Sequence, residues 1–154
     1  MPSTNKAKMF SKEEAAIIRK DFWTSYGKSF PRKWLKYDTK IKDFSFKFYA
    51  DNKIARVMLD IEPSSETKRE LLYQQVLALK TVLTEEYIPE IIFDENHYLD
   101  TGKCLSRIFV QLDAKFSIYN KNTWGKAFEF FNENMHQFEL FFYEFEDFIK
   151  QADI

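Results

Sequence analysis

The chain has 154 residues and a net charge of −1, with 45% apolar and 31% charged residues. That length is near the commonest size of one domain, and the balance excludes disordered and collagen-like classes. No run reaches the ~18 consecutive apolar residues of a membrane span, and the polar start Met1-Pro2-Ser3-Thr4-Asn5-Lys6 lacks the apolar core of an export signal.

Residues 1–10 are expected to form a mobile tail, followed by one α+β domain over 11–154. Ser11-Lys12-Glu13-Glu14 has the spacing of a capping box, in which Ser11 and Glu14 satisfy each other's backbone N–H groups. Ala15, Ile18, Phe22 and Tyr26 then recur at helical spacing, predicting a first helix to about Gly27, with Pro31 beyond it as a stop. After a basic connector, Phe44, Phe46 and Phe48 alternate with Ser45, Lys47 and Tyr49, the pattern of a half-buried strand. A turn over Ala50-Asp51-Asn52-Lys53 leads to a second strand, with Ala55, Val57, Leu59 and Ile61 on one side and Arg56, Met58 and Asp60 on the other.

Pro63-Ser64-Ser65-Glu66 opens a second helix whose stripe is Leu72, Val76, Leu79 and Leu83, ending near Glu86. Ile91-Ile92-Phe93 and Cys104 to Leu112 flank Asp100-Thr101-Gly102-Lys103 as a second hairpin, with Ser106, Ile108 and Val110 inward. From Trp124 to Ile149, rings and Met135 step by three or four residues along a long carboxy-terminal helix. The expected fold is therefore α+β, in the order α-ββ-α-ββ-α: a mostly antiparallel sheet of about four strands, in two hairpins, with three helices on its apolar face.

Cys104 is the single cysteine, which excludes an internal disulfide or a cysteine-built zinc site and places the protein by expectation in the cytoplasm. Charge is uneven: residues 1–47 hold 12 Lys and Arg against 5 Asp and Glu, a balance of +7, leaving 11 against 19, or −8, for the rest. The aromatic content, 17 Phe, 8 Tyr and 3 Trp, builds a large core, a binding surface, or both.

Phe22-Trp23-x-x-Tyr26-Gly27-Lys28, Trp34-x-x-Tyr37, Phe44-Ser45-Phe46-Lys47-Phe48 and Ala55-x-x-Met58-Leu59-Asp60-Ile61 resemble a bacterial family of domains of unknown function. The likeness continues through Ser106-Arg107-Ile108 and Trp124-x-x-x-Phe128-x-Phe130-Phe131. The resemblance implies small stand-alone proteins or pieces joined to nuclease-like domains, and it brings no catalytic residues with it.

Three surfaces are candidates for function. The wide apolar sector of the last helix suggests an interaction module without catalysis, with Phe130 and Phe141 anchoring self-association or a protein partner. The basic aromatic segment 28–47, with Arg32, Lys33, Trp34, Lys36 and Tyr37, has cations for phosphates and rings for bases, and suggests a nucleic-acid-binding or nuclease-associated protein. The competing reading of that segment is a solvated connector with Trp34 and Tyr37 plugging the core, in keeping with a pI near 6.2. The polar side of the second strand, with Arg56 and Asp60, joins Arg107 as a ligand face whose paired charges would orient an anion, the third reading being an enzyme that uses it.

Neither cofactor nor metal is expected. No strand carries the acidic and Asp/Glu-x-Lys set of a restriction-type nuclease, and no phosphate loop or nucleophile elbow is present. Asp94, Glu95, His97 and Asp100 are close in sequence, but regular alternation puts Asp94 and His97 on opposite sides of a strand. Glu133-x-x-His136 has half the spacing of a diiron helix pair and is read as a polar flank.

Overall fold

The computed structural model describes residues 10–153. The first helix, α1 (Lys12–Ser29), starts at the capping box read from the sequence. Ser11 Oγ accepts the Glu14 N–H at 3.1 Å and Glu14 Oε1 accepts the Ser11 N–H at 3.4 Å. Phe22 and Tyr26 are its buried residues. The tail expected over 1–10 lies outside the described residues except for Phe10, whose ring sits 5.6 Å from that of Tyr119.

Both predicted hairpins form. Strands β1 (Phe44–Ala50) and β2 (Ala55–Ile61) pair in register from Phe44↔Ile61 to Ala50↔Ala55, closed by Asp51, whose carboxylate accepts the Lys53 and Ile54 N–H groups. Strands β3 (Ile92–Tyr98) and β4 (Cys104–Gln111) make the second pair. The hairpins join through an antiparallel β2–β4 pairing, giving one four-stranded sheet in the order β1-β2-β4-β3.

The second predicted helix is two helices, α2 (Glu66–Leu77) and α3 (Lys80–Glu86), so the order is α-ββ-α-α-ββ-α. The last turn of α2 tightens: Leu79 N–H bonds Val76 C=O three residues back, and Leu79 leaves helical geometry at ψ 10°. No Gly or Pro marks that point, so composition alone did not show the break.

A 3-10 turn (Lys121–Thr123) leads into α4 (Trp124–Lys150). Its rings meet the Phe side of the sheet: Phe138 lies 5.3 Å from Phe46, and Phe131 lies 5.1 Å from Phe48. Trp23 of α1, Tyr73 of α2 and Lys80 of α3 also pack on rings of this side of the sheet, so the helices share one layer.

The wide apolar sector of α4 is spent inside this chain. Phe141, expected as an interface anchor, is fully buried, with its ring 5.6 Å from Tyr87, which follows α3. That contact corrects the expectation, since the segment after α3 covers this flank of α4. Phe130 is half-buried against Phe131, and Leu140 and Tyr143 are the large hydrophobic side chains of α4 left exposed.

Candidate functional site

The opposite side of the sheet carries Ser45, Lys47 and Tyr49 from β1, Arg56, Met58 and Asp60 from β2, and Leu105, Arg107, Phe109 and Gln111 from β4. The register sets Asp60 directly across from Arg107, and Arg107 directly across from Asp94. Arg107 grips Asp60 with two parallel bonds, Nε to Oδ1 at 2.8 Å and Nη2 to Oδ2 at 3.0 Å. Asp60 is only 1% exposed, and Lys47 Nζ adds a contact at 3.3 Å. Such a forked, charge-assisted pair fixes both partners in orientation as well as in charge.

His97 completes the face. Arg107 Nη1 lies 3.0 Å from His97 Nε2 and can only donate, so a neutral imidazole carries its proton on Nδ1, which then donates to Asp94 Oδ2 at 3.0 Å. Regular alternation forbids this arrangement, and a β-bulge between Asp94 and His97 makes it possible. The expectation that Asp94 and His97 fall on opposite sides is thereby corrected.

Arg69 of α2, 4% exposed, holds that bulge from behind. Its Nη1 donates to Glu95 C=O and to Ser106 Oγ, both at 2.8 Å, while Ser106 Oγ donates to the same carbonyl at 2.7 Å. A buried arginine on a helix thus aims a histidine on the far face of the sheet. Sequence reasoning missed Arg69, because its spacing makes it one more charge on an amphipathic helix.

Arg56 differs from its neighbours. Its Nε donates to Gln111 Oε1 at 2.8 Å and its guanidinium lies 4.2 Å from the centre of the Phe109 ring. Among the described residues it has no carboxylate partner within ion-pair distance. Burial first, and then the like charge of Arg107, hold its pKa below the ordinary arginine value. Arg56, Arg107, His97, Tyr49, Tyr98 and Asp100 border a cleft of about 370 Å3.

At the other end of the face, Glu62 accepts from Lys47 Nζ at 2.7 Å and from Lys103 Nζ at 2.9 Å. Burial raises its pKa, but the hydrogen bonds and charges of the two lysines outweigh burial and leave it below its ordinary value of 4.5. A depressed carboxylate pKa stabilises the fold above the unfolded value and loses that contribution as pH falls through the folded one. Stability should therefore decline on acidification below about pH 4.5, and Lys103→Met, by bringing the folded pKa back toward the unfolded one, should make that decline smaller in urea titrations read by circular dichroism. An unchanged decline would rule out Glu62 as a contributor.

The basic aromatic segment divides in two. Arg32 Nη2 donates to Oε1 of Glu139 at 2.7 Å, Leu35 N–H donates to Oε2 at 2.6 Å, and Glu139 is buried on α4. Arg32 also lies 4.2 Å from the Trp34 ring centre and 3.1 Å from His136 Nδ1, and Trp34 packs edge-on against Phe48. Arg32 and Trp34 are therefore committed to joining the connector to the core. Lys33, Lys36 and Tyr37 are exposed, Tyr37 at 71%, so Tyr37 does not plug the core.

Among the described residues, no three His, Cys, Asp or Glu side chains converge as a metal site, and Asp94, Glu95, His97 and Asp100 do not gather into one. No helix among them is long and apolar enough to cross a membrane.

The fold and this face define an α+β protein in which a four-stranded antiparallel sheet carries its helices on one side and a cross-strand ionic network on the other. The chain belongs to the family described as domain of unknown function DUF4268, which matches residues 18–146. No curated protein and no solved structure matches it.

Proposed function

We propose that this is a non-catalytic recognition module of the bacterial cytoplasm, binding a carboxylate or phosphate group of a partner protein in the cleft between Arg56 and Arg107. The observation that carries the reading is Arg56: its Nε is fixed by Gln111 and its plane by Phe109, while no carboxylate among the described residues lies within ion-pair distance of it. A pre-oriented guanidinium with its outer nitrogens available suits a planar, two-oxygen anion. The neighbouring ionisable groups are engaged with one another, Asp60 and His97 with Arg107, and Glu62 with two lysines, which favours recognition over acid–base chemistry.

Fluorescence polarisation with an Asp/Glu-rich peptide and a phosphoserine peptide tests the proposal. One of the two should bind with an affinity that falls as salt rises, and Arg56→Gln should weaken it about tenfold or more, the loss of a charge-assisted hydrogen bond. Equal binding by Arg56→Gln, or no binding of either peptide at low salt, would remove this reading. The nucleic-acid reading of segment 28–47 retains Lys33, Lys36 and Tyr37, which are exposed, whereas Arg32 is tied to Glu139.

A further inference from the structure

The edge of β1 that faces away from β2 is covered along only part of its length. Phe44 C=O accepts from Thr39 Oγ1 at 2.7 Å, and Phe46 N–H donates to Lys36 C=O at 3.0 Å. Past the turn, Ile118 N–H reaches Asp51 C=O at 3.0 Å. Asp43 C=O accepts from Glu62 N–H and Asp51 N–H donates to Ile54 C=O, so the odd positions face β2 and alternation turns the N–H and C=O of Phe48 outward. Phe48 thus sits at the gap between the two covers.

A pocket of about 240 Å3 opens at that gap, lined by Trp23, Lys36, Tyr37, Phe46, Lys47 and Phe48. Trp23 and Phe48 are half-buried, with ring centres 6.4 Å apart, and Tyr37 stands exposed at the rim. Lys47 is occupied by Glu62 and Asp60. Lys36 Nζ lies 5.2 Å from the centre of the Phe48 ring and has no ion pair among the described residues. Lys36 also holds a left-handed backbone at φ 44°, a conformation that non-glycine residues keep at a cost where surrounding structure enforces it.

An added β-strand is a poor occupant, because it needs a continuous row of edge groups and Phe44 C=O and Phe46 N–H are already bonded. Flat rings, the outward N–H and C=O of Phe48, and one unpaired cation suit a small planar heterocycle that carries an anion. We propose that this pocket binds a nucleotide unit, with its base on the rings of Trp23, Tyr37 and Phe48, its polar edge toward the Phe48 backbone, and its phosphate on Lys36. Free nucleotide and the end of a single strand share this chemistry.

The test titrates the isotope-labelled full chain with adenosine 5′-monophosphate, a six-nucleotide oligodeoxyadenylate and ribose 5-phosphate, following backbone amides by NMR. The Phe48 and Tyr37 amides should shift and saturate with either base-bearing probe, the tighter of the two identifying the source. Tyr37→Ala should weaken binding roughly tenfold, the loss expected of one stacking ring, and Lys36→Gln should weaken it and flatten its salt dependence. Arg56→Gln should leave it unchanged, which separates this pocket from the anion cleft. The proposal is overturned by no saturable shift up to ~10 mM of either base-bearing probe, by ribose 5-phosphate binding as tightly as the nucleotide, or by an unaffected Tyr37→Ala.

Discussion

Replacing Asp60 with alanine should destabilise the folded chain by about 3–5 kcal/mol, the cost of removing one partner from a buried ion pair. The magnitude comes from what is left behind. Arg107, bound to Asp60 through two nitrogens, would lose its carboxylate partner while keeping its positive charge beside Arg56, and Lys47, 3.3 Å from Asp60, would be left with Glu62 alone. Asp60→Asn keeps an acceptor for Arg107 and should cost less. In the Arg107→Ala background the further loss on Asp60→Ala should be much smaller, because the stranded charge is already gone. Urea unfolding with an unchanged m-value is the measurement. A loss under about 1 kcal/mol would mean that water screens this pair as it does surface ion pairs.

Phe22→Ala should be similarly severe, about 3–5 kcal/mol, the usual range for emptying a buried aromatic site. Phe22 is fully buried, and its ring lies 4.8 to 6.1 Å from those of Trp23, Phe116, Trp124, Phe128 and Phe131. It fastens α1 and the segment before α4 to α4 itself, and rigid neighbouring rings cannot collapse into the space it leaves. For a chain of this length, thermal unfolding should begin roughly 10 °C lower. Ile17→Ala on the same helix, 66% exposed, should change stability by no more than ~0.5 kcal/mol. Similar losses for the two variants would contradict the packing described around Phe22.

The network around Arg107 was only partly legible in the chain. Alternation marks Lys47, Tyr49, Arg56 and Asp60 as sharing the non-Phe side of the first hairpin, and Arg107 stands out only by its charge. Alternation puts His97 and Asp94 on opposite sides because it assumes a regular strand, and the bulge that overrides it is bonded by Arg69, remote in sequence. Phe141 fell on the apolar sector of α4 as periodicity required. Periodicity gives the width of that sector, but it does not say whether this chain or another molecule covers it.

The first and last helices, the strands and both hairpins follow from the sequence by itself, because capping, turn chemistry and the periods of two and 3.6 residues are set by neighbours along the chain. The tertiary structure alone decided the β2–β4 pairing that sets Asp60 against Arg107, the Tyr87 contact that covers Phe141, and the Glu139 bonds that tie Arg32 and Leu35 to α4. These contacts join residues far apart in sequence, and their energies depend on which surfaces meet, a property that local periodicity does not carry.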